Sequence, residues 1–236
     1  NTNTAILGTG GTVGVDNIPF PLYEGPEIEI VDDGGLIYCF KITASNVKVI
    51  GLAITGFGNS YSTNHGNIVV QGNNKFVVIE RNVLGCYADS FSKPDSAYLT
   101  GGCNVYLNGS DSGFVNQNIL SWAGVAGIYA TADADAWTVT FNETSSNGFG
   151  QPILDGMDFA TASGYQKIMY NKLYNNAANG IDSYQSKGFN LIENNTIYGN
   201  GVINWENSGI RVYGESDIIR KNVIHSNRGA GILITS

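Results

Sequence analysis

Apolar residues in this chain come in short runs, and polar turn residues interrupt every one of them. "FVVIE" (76–80), "WTVTF" (137–141), "FNLIE" (189–193) and "DIIRK" (217–221) are examples. They are β-branched, too short for a globular helix, and bounded by Asn, Gly and Ser, so they predict short strands. The runs belong to a recurring unit. "NETSSN" (142–147), "NKLYNN" (171–176), "NTIYGN" (195–200) and "NVIHSN" (222–227) share Asn at the first and sixth places. Three of the four carry Ile or Leu at the third place, and looser copies begin at 52 ("LAITGF"), 82 ("NVLGCY") and 118 ("NILSWA").

A second piece follows each copy: "GIYATA" (127), "GMDFAT" (156), "GIDSYQ" (180), "GIRVYG" (209) and "GILITS" (231). Looser versions are "GNIVVQ" (66) and "CNVYLN" (103). The repeat therefore reads as strand, turn, strand, turn, strand, with a basic spacing of 24 residues (171 to 195) and insertions at loops. One such unit cannot bury its inward residues alone. Stacked copies bury Leu84, Leu173, Ile197 and Ile224 in a continuous column, which is the logic of a solenoid. The Asn columns are read as structural, because Asn tolerates left-handed turns and its amide bonds the Asn of the next coil.

The stretch "NNTIYGN…SGIRVYGESDIIRKNVIHSNRGAGILI" resembles the right-handed parallel β-helix family of pectate lyases, polygalacturonases, alginate epimerases and carbohydrate-binding-and-sugar-hydrolysis-type repeats. The resemblance covers residue 47 onward most clearly. It implies an all-β fold: one right-handed β-helix domain over residues 1–236, with about seven or eight coils of three strands each. It also implies a sugar polymer as substrate class. The polygalacturonase signature (Asn-Thr-Asp, Asp-Asp, Gly-His-Gly, Arg-Ile-Lys) and the epimerase Asp-Pro-His-Glu are not present, so no family role is carried onto a residue here.

Composition narrows the function classes. The chain has 31 Gly in 236 residues, only 14% charged residues and a net charge of −8. Its 12 Lys and Arg are scattered and form no basic stripe, which excludes nucleic acid as a partner. No apolar run approaches the roughly 20 residues of a membrane span. Cys39, Cys86 and Cys103 lack metal-ligand spacing. Cys86 and Cys103 bracket a loop that a disulfide would staple in an oxidising compartment; three free thiols is the other reading. Sequons at Asn108, Asn142 and Asn194 fit a secreted or cell-surface protein but carry little weight in so Asn-rich a chain. The closing "GILITS" is a core-type strand without a polar cap, from which an additional domain or subunit is expected at the C-terminal end.

Candidate chemistry follows from strand alternation. With Ile128, Met157, Ile181, Ile210 and Ile232 pointing inward, the next residues form an exposed column: Tyr129, Asp158, Asp182, Arg211, Leu233. Two places further the column reads Thr131, Ala160, Tyr184, Tyr213, Thr235. Stacked coils lie about 4.8 Å apart, so Asp158 and Asp182 would repel unless a proton or a cation lies between them. The insertions "GFGQPILD" (148–155) and "GVINWENS" (201–208) both precede this column and would wall it into a groove, bringing Trp205 and Glu206. Asp155 either caps that wall or joins the site. Tyr129, Tyr184, Tyr213, Trp205, Asp155 and Glu206 are the substrate-binding candidates, since aromatic faces suit sugar rings.

Asp158, Asp182 and Arg211 are the catalytic candidates. In a glycoside hydrolase, the preferred reading, one acid is the general acid and the other the base or nucleophile, with Arg211 on a substrate carboxylate or sulfate. In a polysaccharide lyase or uronate epimerase, Asp158 and Asp182 would hold Ca²⁺, and Arg211 or a Tyr would remove the C5 proton. A non-catalytic glycan-binding or surface β-helix is the alternative of another class. His65 and His225 lack a nucleophile at recognisable spacing, so a hydrolytic triad has no support. Asp133 and Asp135 in "TADADA" read as a solvated turn before a cation site.

Overall fold

The computed structural model describes residues 4–7, 26–33, 35–58, 60–150, 155–159, 163–203 and 207–235. They form three parallel sheets of eight strands each. In every sheet each strand pairs with the strand three earlier and three later in the chain, so one coil of the parallel β-helix contributes one strand to each sheet. We number the coils one to eight by their strand in the third sheet, which begins with Tyr38–Ile42 and ends with Ile232–Ile234. A single short 3₁₀ turn, Ser96–Tyr98, is the only helical segment among the described residues. No helix among them is long and apolar enough to cross a membrane.

The inward column of the second sheet runs Ile30, Ile54, Leu84, Leu120, Thr144, Leu173, Ile197, Ile224 in unbroken register. The four aliphatic residues singled out by the repeat thus stack in one file. Thr144 is its one polar member; it is fully buried and its hydroxyl has no hydrogen-bond partner. In coil eight the inward-pointing Ile232 and Ile234 are exposed.

Asparagine holds two corners. Asn82, Asn118, Asn142, Asn171, Asn195 and Asn222 form one ladder, each side-chain amide donating to the next side-chain oxygen at 2.9–3.1 Å. A second ladder links Asn147, Asn176, Asn200 and Asn227 at 2.9–3.0 Å, and Asn67 and Asn104 extend it toward the first coils. The left-handed residue is not the ladder Asn, as the turn argument expected, but the one before it. Phe141, Tyr170, Asn194 and Lys221 have φ of 55–58° immediately ahead of Asn142, Asn171, Asn195 and Asn222. The ladder Asn is kept for its amide, which satisfies buried turn backbone that would otherwise go unpaired. Asn142 is buried in the ladder, so its sequon is closed to modification.

The repeated Gly has a packing reason. A Cβ on Gly180 would lie 2.6 Å from Ile197 Cγ2 and 3.0 Å from Asn200 Nδ2, and one on Gly156 would lie 2.7 Å from Asn176 Nδ2. Gly lets the third sheet start directly against the second ladder. The three cysteines are free, Cys86 and Cys103 fully buried, so no disulfide staples residues 86–103. Burial pushes all three thiols up, Cys39 to about 12.

Candidate functional site

Coils four to seven place the site. Ile128, Met157, Ile181 and Ile210 stack inward in the third sheet, and Tyr129, Asp158, Asp182 and Arg211 stack in register on its outer side. Tyr106 precedes Tyr129 in the same file, and the two rings stack at 5.8 Å. The sequence reading made this file an exposed one. The structure corrects that: Asp158 is 7% and Asp182 2% exposed. Asp182 is covered by the next member of its own file: Arg211 folds back to bond it and lies over the Tyr184 ring at 4.8 Å.

Asp155 begins a second file of side chains. Its Oδ1 accepts the Asn179 backbone N–H at 2.5 Å, and Asn179 Oδ1 in turn accepts the Ser208 N–H at 2.7 Å. Asp155, Asn179 and Ser208 each stand one residue before a repeated Gly and form a second file beside the first. Carboxylate oxygens of Asp155, Asp158 and Asp182 all lie within 4.8 Å of one another. The sequence reading missed Asn179 and Ser208, although their shared offset from Gly180 and Gly209 was a usable signal.

The electrostatics are asymmetric. Asp182 is heavily bonded: Arg211 Nε donates to Oδ1 at 3.0 Å and Arg211 Nη2 donates to Oδ2. The Tyr184 N–H also donates to its Oδ1 at 2.8 Å, and Asn179 Nδ2 reaches Oδ2 at 3.5 Å. Such a fork is the strong form of an Arg–carboxylate pair. Burial, then the charge of Asp182, holds the carboxyl groups of Asp155 and Asp158 well above the usual carboxylate range. Burial and Asp158 together push Tyr129 up to about 12. For Arg211 burial pulls downward, but the bonds and charge of Asp182 win and its pKa is raised.

Three hard carboxylates against one Arg suit a proton or a divalent cation. Two oxygens on one Ca²⁺, each at about 2.3–2.6 Å, lie at most about 5 Å apart, so one oxygen from each acid is spaced for that ion once the Arg211 fork releases an Asp182 oxygen. Tyr184 and Tyr213, each 40% exposed, meet edge to face at 5.2 Å beside the acids. Trp205 and Glu206 lie outside the described residues, as does part of each wall loop. On the second-sheet side of these loops Trp122, Phe149, Val202 and Ile203 line an apolar cavity of about 340 Å³ that the sequence did not signal.

The remaining candidates fall elsewhere. Lys187 Nζ reaches Asp133 Oδ1 and Asp135 Oδ2, both at 2.7 Å, so a lysine supplies the cation in the "TADADA" turn. His225 stacks on Tyr198, itself stacked on Tyr174. His65 Nδ1 lies 3.0 Å from Ser60 Oγ, a partner the spacing did not announce.

The family model described as "Right handed beta helix region" matches residues 66–236. No curated protein matches the sequence. Among solved structures, the pectate lyase Pel9A superposes with a TM-score of 0.57 at 14% identity, over 98% of this chain and 68% of that one. The A-module of the Azotobacter vinelandii mannuronan C-5 epimerase AlgE6 gives 0.53 at 11% identity, over 83% of this chain and 55% of that module. The corresponding AlgE4 module gives 0.50 at 20% identity, over 84% and 57%. The chain thus spans a little over half the length of either epimerase module. At such identities the likeness is one of fold.

Proposed function

The chain belongs to the right-handed β-helix family, and we propose that it acts on an acidic polysaccharide outside the cell or at its surface, by elimination or epimerisation at a uronate. The observation that carries this reading is the set of three carboxylates, Asp155, Asp158 and Asp182, gathered within 4.8 Å beside Arg211. These three would hold Ca²⁺. When bound, the ion would neutralise the uronate carboxylate and so acidify the neighbouring C5 proton. Arg211, kept cationic and pinned by Asp182, would orient the sugar carboxylate, and the C5 proton would pass to a tyrosine of the site, Tyr184 or Tyr213, as the base. Tyr129, kept protonated, is a proton donor. Tyr184 and Tyr213 offer apolar rings to the sugar. The names of the neighbours, a pectate lyase and two mannuronan C-5 epimerases, agree with this class.

Hydrolysis by two carboxylates is the second reading, favoured by Asp158, whose raised pKa is what a general acid requires. The closeness of the acids matches the roughly 5–5.5 Å of retaining enzymes better than the wider inverting gap. The Arg211 fork on both oxygens of Asp182 bears on both readings, since it would have to open for Asp182 to hold Ca²⁺ as much as for it to act as base or nucleophile.

The test is turnover of polymannuronate, polyguluronate and polygalacturonate with Ca²⁺ or chelator, read as unsaturated product, reducing ends and changed sugar configuration. We expect Ca²⁺-dependent unsaturated ends or epimerised residues, abolished by Asp182→Asn in a protein that still folds. Chelator-insensitive reducing ends without unsaturation would establish hydrolysis instead. Binding without turnover would make the protein a glycan-binding module. Full activity in Asp182→Asn would sink the site assignment.

A further inference from the structure

A second polar cavity, about 390 Å³, lies along the loop edge of the coils that precede the acids. Its lining includes Asp33, Ser60, Tyr61, Ser96, Leu99 and Phe149. Tyr61 is 51% exposed, and its ring lies on a bed of glycine. A Cβ on Gly150 would meet Tyr61 Cδ1 at 2.0 Å, and one on Gly124 would meet it at 2.7 Å. Phe149 closes edge-on at 6.2 Å and an interplanar angle of 88°. Tyr61 stands in the loop before the strand Gly66–Gln71 of coil two, whereas Gly150 stands in the loop before Met157–Phe159 of coil five. The loop therefore reaches across about three coil spacings, some 14 Å, to lay its ring on the loop that precedes Met157–Phe159. On the sequence, Gly150 is five residues from Asp155.

We propose that this shelf is a sugar subsite for an uncharged pyranose ring, stacked on Tyr61 and bonded through its hydroxyls by Asp33, Ser60 and Ser96. The proposal rests on the polysaccharide reading above and adds the direction and composition of the substrate. A chain laid along the solenoid axis, on which one coil is about as long as one sugar, runs from the acids toward the first coils and over the shelf. Asp33 is the one charged side chain among the described residues lining the cavity, and no Lys or Arg accompanies it. A uronate carboxylate would meet repulsion from Asp33 with no cationic side chain among the described lining residues, whereas a neutral sugar offers hydroxyl donors to the Asp33 carboxylate. The polymer accommodated is accordingly a mixed one, with neutral sugars beside the uronate held at Arg211.

Calorimetric titration with neutral tetrasaccharides of gluco, manno, galacto and xylo configuration, and with a uronate tetrasaccharide, tests this. Wild type should bind one or more of the neutral set. Tyr61→Ala should weaken that binding about tenfold, the scale of one lost ring stack, while Tyr61→Phe keeps it. Gly150→Ala, which tips the ring without removing it, should weaken it comparably and answers the question if Tyr61→Ala does not fold. Ca²⁺ binding at the acids should be the same in all these variants, and neutral-sugar binding should survive Asp182→Asn. Neutral-sugar binding unaffected by both Tyr61→Ala and Gly150→Ala, or no neutral-sugar binding while the uronate binds, overturns the shelf and leaves the acidic site standing. Tyr61-dependent binding in a protein inactive on every uronate polymer keeps the shelf and removes the reaction.

Discussion

Asp158→Asn should make the protein more stable at neutral pH once divalent ions are removed. If all three acids were ionised, each pair, within 4.8 Å, would repel by at least about 3.5 kcal/mol at an effective dielectric near 20. The fold can avoid that by keeping a proton. Holding a proton at pH 7 on a carboxyl whose ordinary value is 3.8 costs about 4 kcal/mol. Either way the wild-type fold carries a penalty of a few kcal/mol, partly offset by Arg211. An amide in place of the acid removes the penalty but has its own desolvation cost of about 1–3 kcal/mol. The net gain expected is about 1–2 kcal/mol, a rise of a few degrees in melting temperature for a chain of this length.

The pH dependence has a definite sign. The folded pKa values of Asp155 and Asp158 are raised, so these groups favour the folded state most below their unfolded value near 3.8. That advantage is lost as pH rises through the folded values. With chelator, wild type should lose stability from pH 4 upward, and Asp158→Asn should lose less. Calcium reverses the ranking, because a ligand at a hundred times its Kd adds about 2.7 kcal/mol to wild type that the variant forgoes. Scanning calorimetry between pH 4 and 8, with chelator and with Ca²⁺, reads all of this. An Asp158→Asn protein that melts below wild type in chelator at pH 7 would refute the reasoning.

Two further variants test the scaffold. Asn195→Ala removes a side chain that makes four ladder bonds, accepting from Asn171 N and Nδ2 and donating to Ile168 O and Asn222 Oδ1. Buried groups left unpaired cost about 1–3 kcal/mol each, so denaturant unfolding should show a loss of about 3–5 kcal/mol. A loss under about 1 kcal/mol would mean the ladder is not what holds this corner. Thr144→Val replaces the unpartnered hydroxyl in the aliphatic file with a methyl of similar shape, and should raise stability by about 1 kcal/mol in the same assay. A destabilised Thr144→Val would show that the hydroxyl has a partner.

Whatever recurs at one offset per coil is legible in the order of the residues. Parallel strands in register stack equal offsets on one another, so the two Asn columns, the aliphatic file with Leu173 and Ile197, and the order Tyr129, Asp158, Asp182, Arg211 could all be read from the repeat. What side chains do across unequal offsets, or by folding back, emerges only from packing between coils. Asp155 joins acids three residues further along because Asn179 holds its carboxylate over them. Asp182 is covered because the long Arg211 side chain folds back onto it and over Tyr184, a path that register alone does not specify. Lys187 finds Asp133 and Asp135, and Tyr61 crosses from coil two to Gly150, through turns whose paths no period specifies. The repeat dictates the backbone hydrogen bonds that set the coil spacing, whereas a loop between coils is free in length and direction and is placed only by what it packs against.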